Sequence, residues 1–303
     1  MTSLSKKIRS ISLPARSHPS TCPVEQELCK LRSWESAPDF SSSGFTLVRT
    51  GLSGIEKLYT CMDDLLGMGS TQQLLSRHHR HVNELLDMSV TILDVCGTTR
   101  DLVSQVKEHV RELESAVRRR KAGSSMETTS ADYANMRRKM KKDARRLMDS
   151  LRQQTDSRVY IMIPTETLPC DQQHLAAVVR VIREVNSSSI SVLRSVLVFL
   201  SVSGPRPASG QSRWSAVSRL MLKGRGAVEN EPQKSEALNE FELVGAAMGS
   251  MCLMRSGNKE AMRVLQKRFE ELEIGIGAIE DGLEGMRRRL VKARATLLNI
   301  IVH

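Results

Sequence analysis

The chain has 303 residues, of which 45 are Lys or Arg and 34 Asp or Glu, giving a formal charge of +11, and only 3% are aromatic. This usage is typical of long helices, so it excludes a sheet-based fold and predicts the all-α class. The positive charge favours acidic partners: nucleic acid, anionic lipid or an acidic protein face. The six cysteines form no CxxC pair and predict reduced thiols in an intracellular compartment.

The first 23 residues contain four Lys and Arg, no acid, six Ser and three Pro. Such a segment cannot bury a core, so residues 1–23 are predicted to be a disordered basic tail. Its composition also fits a plastid transit peptide, but the tail has no amphipathic arginine face, which favours a phosphorylatable tail instead. A single helical domain over 24–303 is predicted to follow, because Pro23 suits a first helical turn.

Amphipathic helices are predicted from Val24 to Trp34, over about 45–66 and near 70–77. A longer helix follows over 81–121, where residues with a shared inward face alternate at spacings of three and four. They are Val82, Leu85, Ser89, Ile92, Cys96, Thr99, Val103, Val106, Val110, Leu113 and Val117.

A flexible link over 122–130 and a basic helix over about 131–154 are predicted next, followed by a short extended segment within 155–170. The helix predicted over 171–202 includes the most apolar run of the chain. This run is interrupted by Arg194 and is shorter than the roughly 20 residues a membrane helix needs, so we interpret it as a buried helix.

A flexible loop is predicted over about 203–234, and it encloses a short amphipathic piece at 212–223. The side chains on the apolar side of this piece are Trp214, Val217, Leu220 and Met221. Such a piece can bind a membrane interface or a groove in a partner. Because it has barely three turns, docking on its own bundle is the preferred interpretation.

The final helical region opens near Ser235, is interrupted near Gly257, and then forms an unbroken heptad seam over 259–303. The residues of this seam are Met262, Leu265, Phe269, Leu272, Ile276, Ile279, Leu283, Met286, Leu290, Ala293, Leu297 and Ile300. Its reach matches that of the helix over 81–121. The two seams therefore predict an elongated antiparallel helical bundle with two long heptad-patterned helices.

A heptad seam can pair within a chain or between two copies, and the flanking positions favour the first. In a parallel homodimer, Arg268–Glu273 would attract, Arg289–Arg294 would repel, and the other two flanking pairs contain a glycine. This is a poor code for self-pairing, so a monomer is favoured over a homodimer. Of the four glycines, 275 and 282 flank the seam and should admit a neighbouring helix closely, whereas 277 and 285 should face away.

The strongest charge feature consists of two basic clusters. The first is Arg118, Arg119, Arg120 and Lys121; the second is Arg137, Arg138, Lys139, Lys141, Lys142, Arg145 and Arg146, interrupted by one acid. They could bind an anionic membrane, an import receptor or nucleic acid, or form a solvated helix face. The scarcity of aromatic residues for stacking on bases argues against nucleic acid.

Patterns typical of enzymes are missing: the sequence has no GxSxG, HExxH or phosphate-cradling glycine loop. His78 and His81 could meet on one helix face, but Arg77 and Arg80 would repel a cation there. No catalytic residue, metal or cofactor is therefore expected.

Four ordered stretches carry a resemblance to a known family. They are RSISLPARSHP with VEQELCKLRSW near the start, ELLDMSVTILDVCGTTRDLVSQVKEHVRELESAVRRRK in the middle, RWSAVSRLM late, and IEDGLEGMRRRLVKARATLLNI at the end. Together they resemble the plant-specific family related to the BYPASS protein over nearly the whole chain. The resemblance implies a land-plant source, a helical protein without recognised catalysis, and involvement in root and shoot development; it supplies no site residues.

These observations lead to the hypothesis of a non-enzymatic helical interaction or scaffold protein whose protein partners the sequence does not identify. The alternative is a peripheral membrane or nuclear factor that acts through its basic surface. The expected location is cytoplasmic, at a membrane or in the nucleus.

Overall fold

The computed structural model describes residues 18–36, 44–119, 126–156, 170–201, 239–253 and 259–302. Within these ranges all regular structure is helical, which confirms the all-α class. The helices, in chain order, are α1 (Cys22–Glu35), α2 (Gly44–Gly67), α3 (Gly69–Ser76), α4 (His79–Arg118), α5 (Met126–Asp156), α6 (Cys170–Ser201), α7 (Glu240–Leu253) and α8 (Lys259–Val302).

Helices α4 and α8 have 40 and 44 residues and lie antiparallel within the chain. Lys107 Nζ of α4 donates to Glu280 Oε2 of α8 at 2.7 Å. Nearer the start of α4, Arg294 Nη1 donates to the carbonyl oxygen of Leu86 at 2.6 Å. The contacts pair lower residue numbers in α4 with higher residue numbers in α8. The predicted antiparallel, in-chain pairing is therefore confirmed. At about 1.5 Å per residue, α8 is about 66 Å long.

The heptad seams are buried as predicted. All eleven seam residues of α4 and eleven of the twelve in α8 are buried, and Met262 is partly buried against the core. In the middle of the pair, Cys96 Sγ donates to the carbonyl oxygen of Leu283 at 3.5 Å. Burying one Leu, Ile or Met side chain stabilises a fold by about 1.5–3 kcal/mol, so the two seams supply much of the stability.

Helix α2 packs along another flank of α8, and two glycines permit the approach. A Cβ atom at Gly275 would collide with the ring of Phe45, and one at Gly282 would lie 2.9 Å from Leu52 Cδ1. These positions confirm that both glycines flank the seam where a neighbouring helix comes close. Further along, Lys292 Nζ lies 3.0 Å from Asp63 Oδ2, an ion pair between α8 and α2.

Helices α1 and α6 complete the packing around α2. The hydroxyl of Tyr59 is buried and bonds to Ser189 Oγ of α6 at 3.0 Å. This partner matters because a buried hydroxyl without one destabilises the fold. At the surface, Arg32 Nη2 of α1 donates to Glu184 Oε2 of α6 at 3.0 Å.

The prediction of a disordered tail over residues 1–23 extends too far, because residues 18–23 belong to the folded bundle. Helix α1 begins at Cys22, and the residues just before it contact α6. The rings of His18 and His174 stack with their centroids 3.8 Å apart. The folded bundle therefore includes His18 and its successors, and residues 1–17 lie outside the described part of the chain.

The flexible link predicted for 122–130 is also too long. Helix α5 begins at Met126, which packs against the core, and Thr129 is buried in its first turn. Glu127 suits the positive end of the helix dipole. Burial of this first turn is a tertiary effect that the Ser- and Thr-rich local sequence did not indicate.

Several predicted segments fall wholly or largely outside the described residues. They are the extended segment within 155–170, the loop at 203–234 and the amphipathic piece at 212–223. The interruption near Gly257 lies between the end of α7 and the start of α8, also outside the described residues. Among the helices that are described, none combines the length and apolar character needed to cross a membrane.

Candidate acidic-surface binding site

The second basic cluster lies on α5, and the packing of this helix decides which charges reach solvent. Its inward side carries Tyr133, Met136, Met140, Ala144 and Leu151, all buried. Five basic side chains lie on the opposite, exposed side: Arg138, Lys139, Lys142, Arg145 and Arg146. Because these positions repeat at intervals close to one helical turn, they form one continuous surface, here called the basic face.

Few acids neutralise the basic face. Arg138 donates to Asn135 Oδ1 on its own helix, and Arg146 Nη1 lies 3.7 Å from Asp143 Oδ1. Lys139, Lys142 and Arg145 have no hydrogen bond or ion pair with any other described residue. The basic face therefore presents an uncompensated positive charge to solvent.

Arg137 does not belong to this surface, contrary to the sequence-based assignment. Its side chain is only 7% exposed, and Nη2 donates to Glu242 Oε1 of α7 at 3.1 Å. The guanidinium carbon lies 4.4 Å from the ring centroid of Phe241, a cation–π contact. A side chain held in this way ties α5 to α7 and cannot reach an external partner.

Lys141 was also assigned to this surface from the sequence, but its side chain is directed toward Glu242. Its Nζ lies 3.3 Å from Glu242 Oε1 and the side chain is 20% exposed. Burial and the neighbouring Arg137 charge lower the pKa of Lys141. Burial by itself raises the pKa of Glu242, but hydrogen bonds and charge from Arg137 and Lys141 outweigh it, so the carboxyl has a net lowered pKa. The cluster of Arg137, Lys141 and Glu242 therefore holds α5 against α7.

Helical spacing could have revealed the position of Arg137. It lies four residues after Tyr133 and three before Met140, so it falls on the inward side of α5. Its partner Glu242 could not have been found from the sequence, since it is more than one hundred residues away and in another helix.

The first basic cluster lies at the end of α4. Arg118 Nη2 donates to Glu114 Oε1 one turn earlier at 2.6 Å, and its side chain is 60% exposed. Arg119 caps the end of the helix, with its backbone N–H donating to the carbonyl oxygen of Ser115. Arg120 and Lys121 lie outside the described residues. Both described arginines suit the negative end of the α4 dipole.

The remaining candidates do not form a site among the described residues. Trp214, Val217, Leu220 and Met221 lie outside them. The rings of His78 and His81 are 6.4 Å apart between centroids. No group of three or more His, Cys, Asp or Glu side chains in the described part of the chain is placed to hold a metal ion.

The fold and the basic face define a class: an all-α helical bundle whose helix α5 presents a basic face to solvent. The family model described as Protein BPS1 matches residues 51–300, and the chain belongs to this family. This match confirms the relation to BYPASS-type proteins drawn from the four sequence stretches. Searches of curated proteins and of solved structures found no match.

Proposed function

We propose that the protein is a non-enzymatic helical scaffold that attaches to an anionic membrane surface through the basic face of α5. The observation that carries this proposal is the exposed set of Lys139, Lys142 and Arg145, none of which has a partner among the described residues. Arg138 and Arg146 extend the set along the same face. The lack of enzyme sequence patterns supports a scaffold, and a role in plant root and shoot development is part of the proposal because the resemblance to the BYPASS-related family implies one.

The strength of such an attachment follows from the charges. Each Lys or Arg close to an anionic membrane contributes up to about 1 kcal/mol. Five such residues could therefore hold the protein at a membrane without an inserted segment. The attraction acts over a Debye length of about 8–10 Å at physiological salt, so added salt should weaken it.

Vesicle binding tests the proposal. The purified chain is mixed with phosphatidylcholine vesicles that contain or lack phosphatidylserine, and bound protein is measured by co-sedimentation over a salt series. The variant Lys139→Gln, Lys142→Gln, Arg145→Gln removes three unpaired charges from the basic face. We expect its affinity for the phosphatidylserine vesicles to fall at least about tenfold, since tenfold corresponds to only about 1.4 kcal/mol.

A matched control removes the same charge elsewhere. Lys30, Arg49 and Lys57 are exposed on α1 and α2, and the variant with all three changed to Gln should retain most of the binding. Equal loss in both triple variants would mean that only net charge matters, and no loss in the α5 variant would contradict the proposal.

The same pair of variants can be followed in plant cells as fluorescent fusions. Loss of a membrane signal in the α5 variant alone supports membrane attachment. Loss of a nuclear signal would instead mean that these residues bind an import receptor. An unchanged pattern would mean that they form a solvated helix face without a binding role.

A further inference from the structure

The solvent side of α8 is unusual for a helix that packs against its own bundle. Opposite the buried seam, residues at spacings of three and four form a stripe, here called the outer stripe. Its members are Ile274, Ala278, Asp281, Gly285, Arg288, Lys292, Ala295, Asn299 and Val302. All of them are exposed except Ala278 and Gly285, which are partly exposed.

Large apolar side chains lie on and beside the outer stripe. Ile274 is 67% exposed and Val302 is 79% exposed, while Val291 and Leu298 at its edge are 47% and 42% exposed. A single exposed aliphatic residue needs no explanation. Ile274 and Val291 lie in the middle part of α8, where a second molecule can cover them together with Ala278 and Ala295.

Contacts among the described residues do not explain two further members of the outer stripe. Asp281 makes no hydrogen bond or ion pair with another described residue. A Cβ atom at Gly285 would meet nothing within 4 Å, so the bundle does not require a glycine there. Glycine nevertheless disfavours the helix relative to alanine, which is consistent with a close approach from outside.

We infer that the outer stripe binds the outer stripe of a second copy of this chain, with the two α8 helices antiparallel. Arg288 is 75% exposed and bonds Glu284 of its own helix through Nε. When Asp281 of one copy faces the exposed guanidinium of Arg288 of the other, the two-fold symmetry gives the same ion pair twice. Seven residues before Asp281 and seven after Arg288, Ile274 of one copy faces Ala295 of the other. Between them, Ala278 faces Val291, so apolar contacts lie on both sides of the charges.

The position of Gly285 agrees with this register. It lies beside the two-fold axis, where the backbones of the two helices come closest and a side chain would separate them. A parallel arrangement would instead place Asp281 against Asp281 and Arg288 against Arg288. The charges therefore select the antiparallel pairing.

This dimer differs from the one that the heptad seam could have formed. The seam is filled by α4 and α2 within the chain, so association through the outer stripe leaves the bundle intact. The preference for a monomer derived from the sequence considered only the seam. Anionic lipid is a poorer occupant of the outer stripe, because it offers no cation to the exposed carboxylate of Asp281, whereas Arg288 of a second copy does.

Charge reversal tests the pairing. The mass of the full chain is measured by light scattering over a concentration series, and the wild type should approach twice 33.8 kDa. Asp281→Arg alone should remain monomeric, because residues 281 and 288 of both copies would then be four arginines that repel one another. Arg288→Asp alone should remain monomeric for the same reason, because the same four positions would all be aspartates. Mixing these two variants should restore dimers, since every pair then joins opposite charges.

A second pair of variants separates steric blocking from misfolding. Gly285→Gln should abolish the dimer while raising the melting temperature of the monomer by about 2 °C, because Gln is a better helix former than Gly. Gly249→Gln in α7, another position where a Cβ would meet nothing, should leave the dimer unchanged.

Several results would overturn the inference. These are a wild type that stays monomeric throughout, single charge reversals that still dimerise, or a mixture that stays monomeric. Loss of vesicle binding by Ile274→Gln with no change in mass would assign the outer stripe to lipid instead.

Discussion

Arg137 and Arg138 are neighbours in α5, yet they carry their charges in different surroundings. Arg137 is buried against Phe241 and bonded to Glu242, whereas Arg138 is exposed. Adjacent residues in a helix point about 100° apart, so one residue can serve the fold while the next serves the surface.

Arg137→Ala is therefore expected to destabilise the bundle. The change leaves the half-buried carboxylate of Glu242 with Lys141 alone and removes the contact with Phe241. We expect the free energy of unfolding to fall by about 3 kcal/mol, as when one partner of a buried ion pair is removed. Arg138→Ala, the matched control, should change it by less than about 0.5 kcal/mol. Urea unfolding measures both, and equal effects would contradict the assignment.

Glu284 provides a pH-dependent test at the same scale. Hydrogen bonds from Arg287, Arg100 and Arg288 lower the pKa of this carboxyl from its ordinary value of 4.5 to about 2. Since the folded-state pKa is the lower one, the stabilising effect is complete above pH 4.5 and is lost as the pH falls toward 2. Glu284→Gln removes the titrating group, so wild type and variant should differ in stability at neutral pH and converge in acid.

Unfolding by urea at a series of pH values measures this convergence. Asp87→Asn in α4 serves as the control, because Asp87 is exposed, lies away from the outer stripe and has no hydrogen bond or ion pair with another described residue. Its difference from wild type should not follow the same pH window. A difference for Glu284→Gln that stays constant down to pH 2 would contradict the role given to the three arginines.

At the scale of elements, the glycines of α8 show what each side of the helix meets. Gly275→Ala would push a methyl group into Phe45, whose ring packs against the rings of Phe199 and Phe241. Gly285→Ala would add the same methyl group to open space. Alanine favours a helix by about 1 kcal/mol over glycine, while overpacking costs about 1–3 kcal/mol.

Gly285→Ala should therefore stabilise the monomer by about 1 kcal/mol, whereas Gly275→Ala should destabilise it by up to about 2 kcal/mol. Urea unfolding in the Asp281→Arg background measures these changes without a contribution from association. Effects of the same sign would show that Phe45 moves aside at little cost.

The elements were predictable from the sequence to the extent that each carries its own periodicity. The seam of α8 and the inward positions of α4 follow from spacings of three and four, and all but Met262 are buried. Contacts between distant parts of the chain were not predictable in this way. Neither the ring of Phe45 beside Gly275 nor the carboxylate of Glu242 beside Arg137 leaves a local signal.

The basic face illustrates the same limit at the scale of a site. Its charge and its helix were evident from residues 137–146, but only the packing of α5 against α7 separates the exposed Lys142 from the enclosed Lys141. Sequence periodicity shows which side of a helix is apolar. A neighbouring element decides which charges at the edge of that side are covered.

For the whole molecule, the important feature is the continuity of the core. One hydrophobic cluster includes buried residues from every described helix, from Val24 in α1 to Ile300 in α8. A core shared in this way predicts cooperative unfolding of the described bundle. Helix α1 tests this best, because it lies outside the part of the chain that matches the family model.

Trp34 at the end of α1 can report on this helix. Its ring lies against Gly51 of α2, and Nε1 donates to the carbonyl oxygen of Leu47 at 3.1 Å. Trp214→Phe leaves Trp34 as the sole tryptophan. Urea curves from Trp34 fluorescence and from far-UV circular dichroism should then coincide. Leu283→Ala, at the distant α4–α8 contact, should cost about 2–5 kcal/mol and move both curves together; a fluorescence curve that did not move would show that α1 unfolds separately.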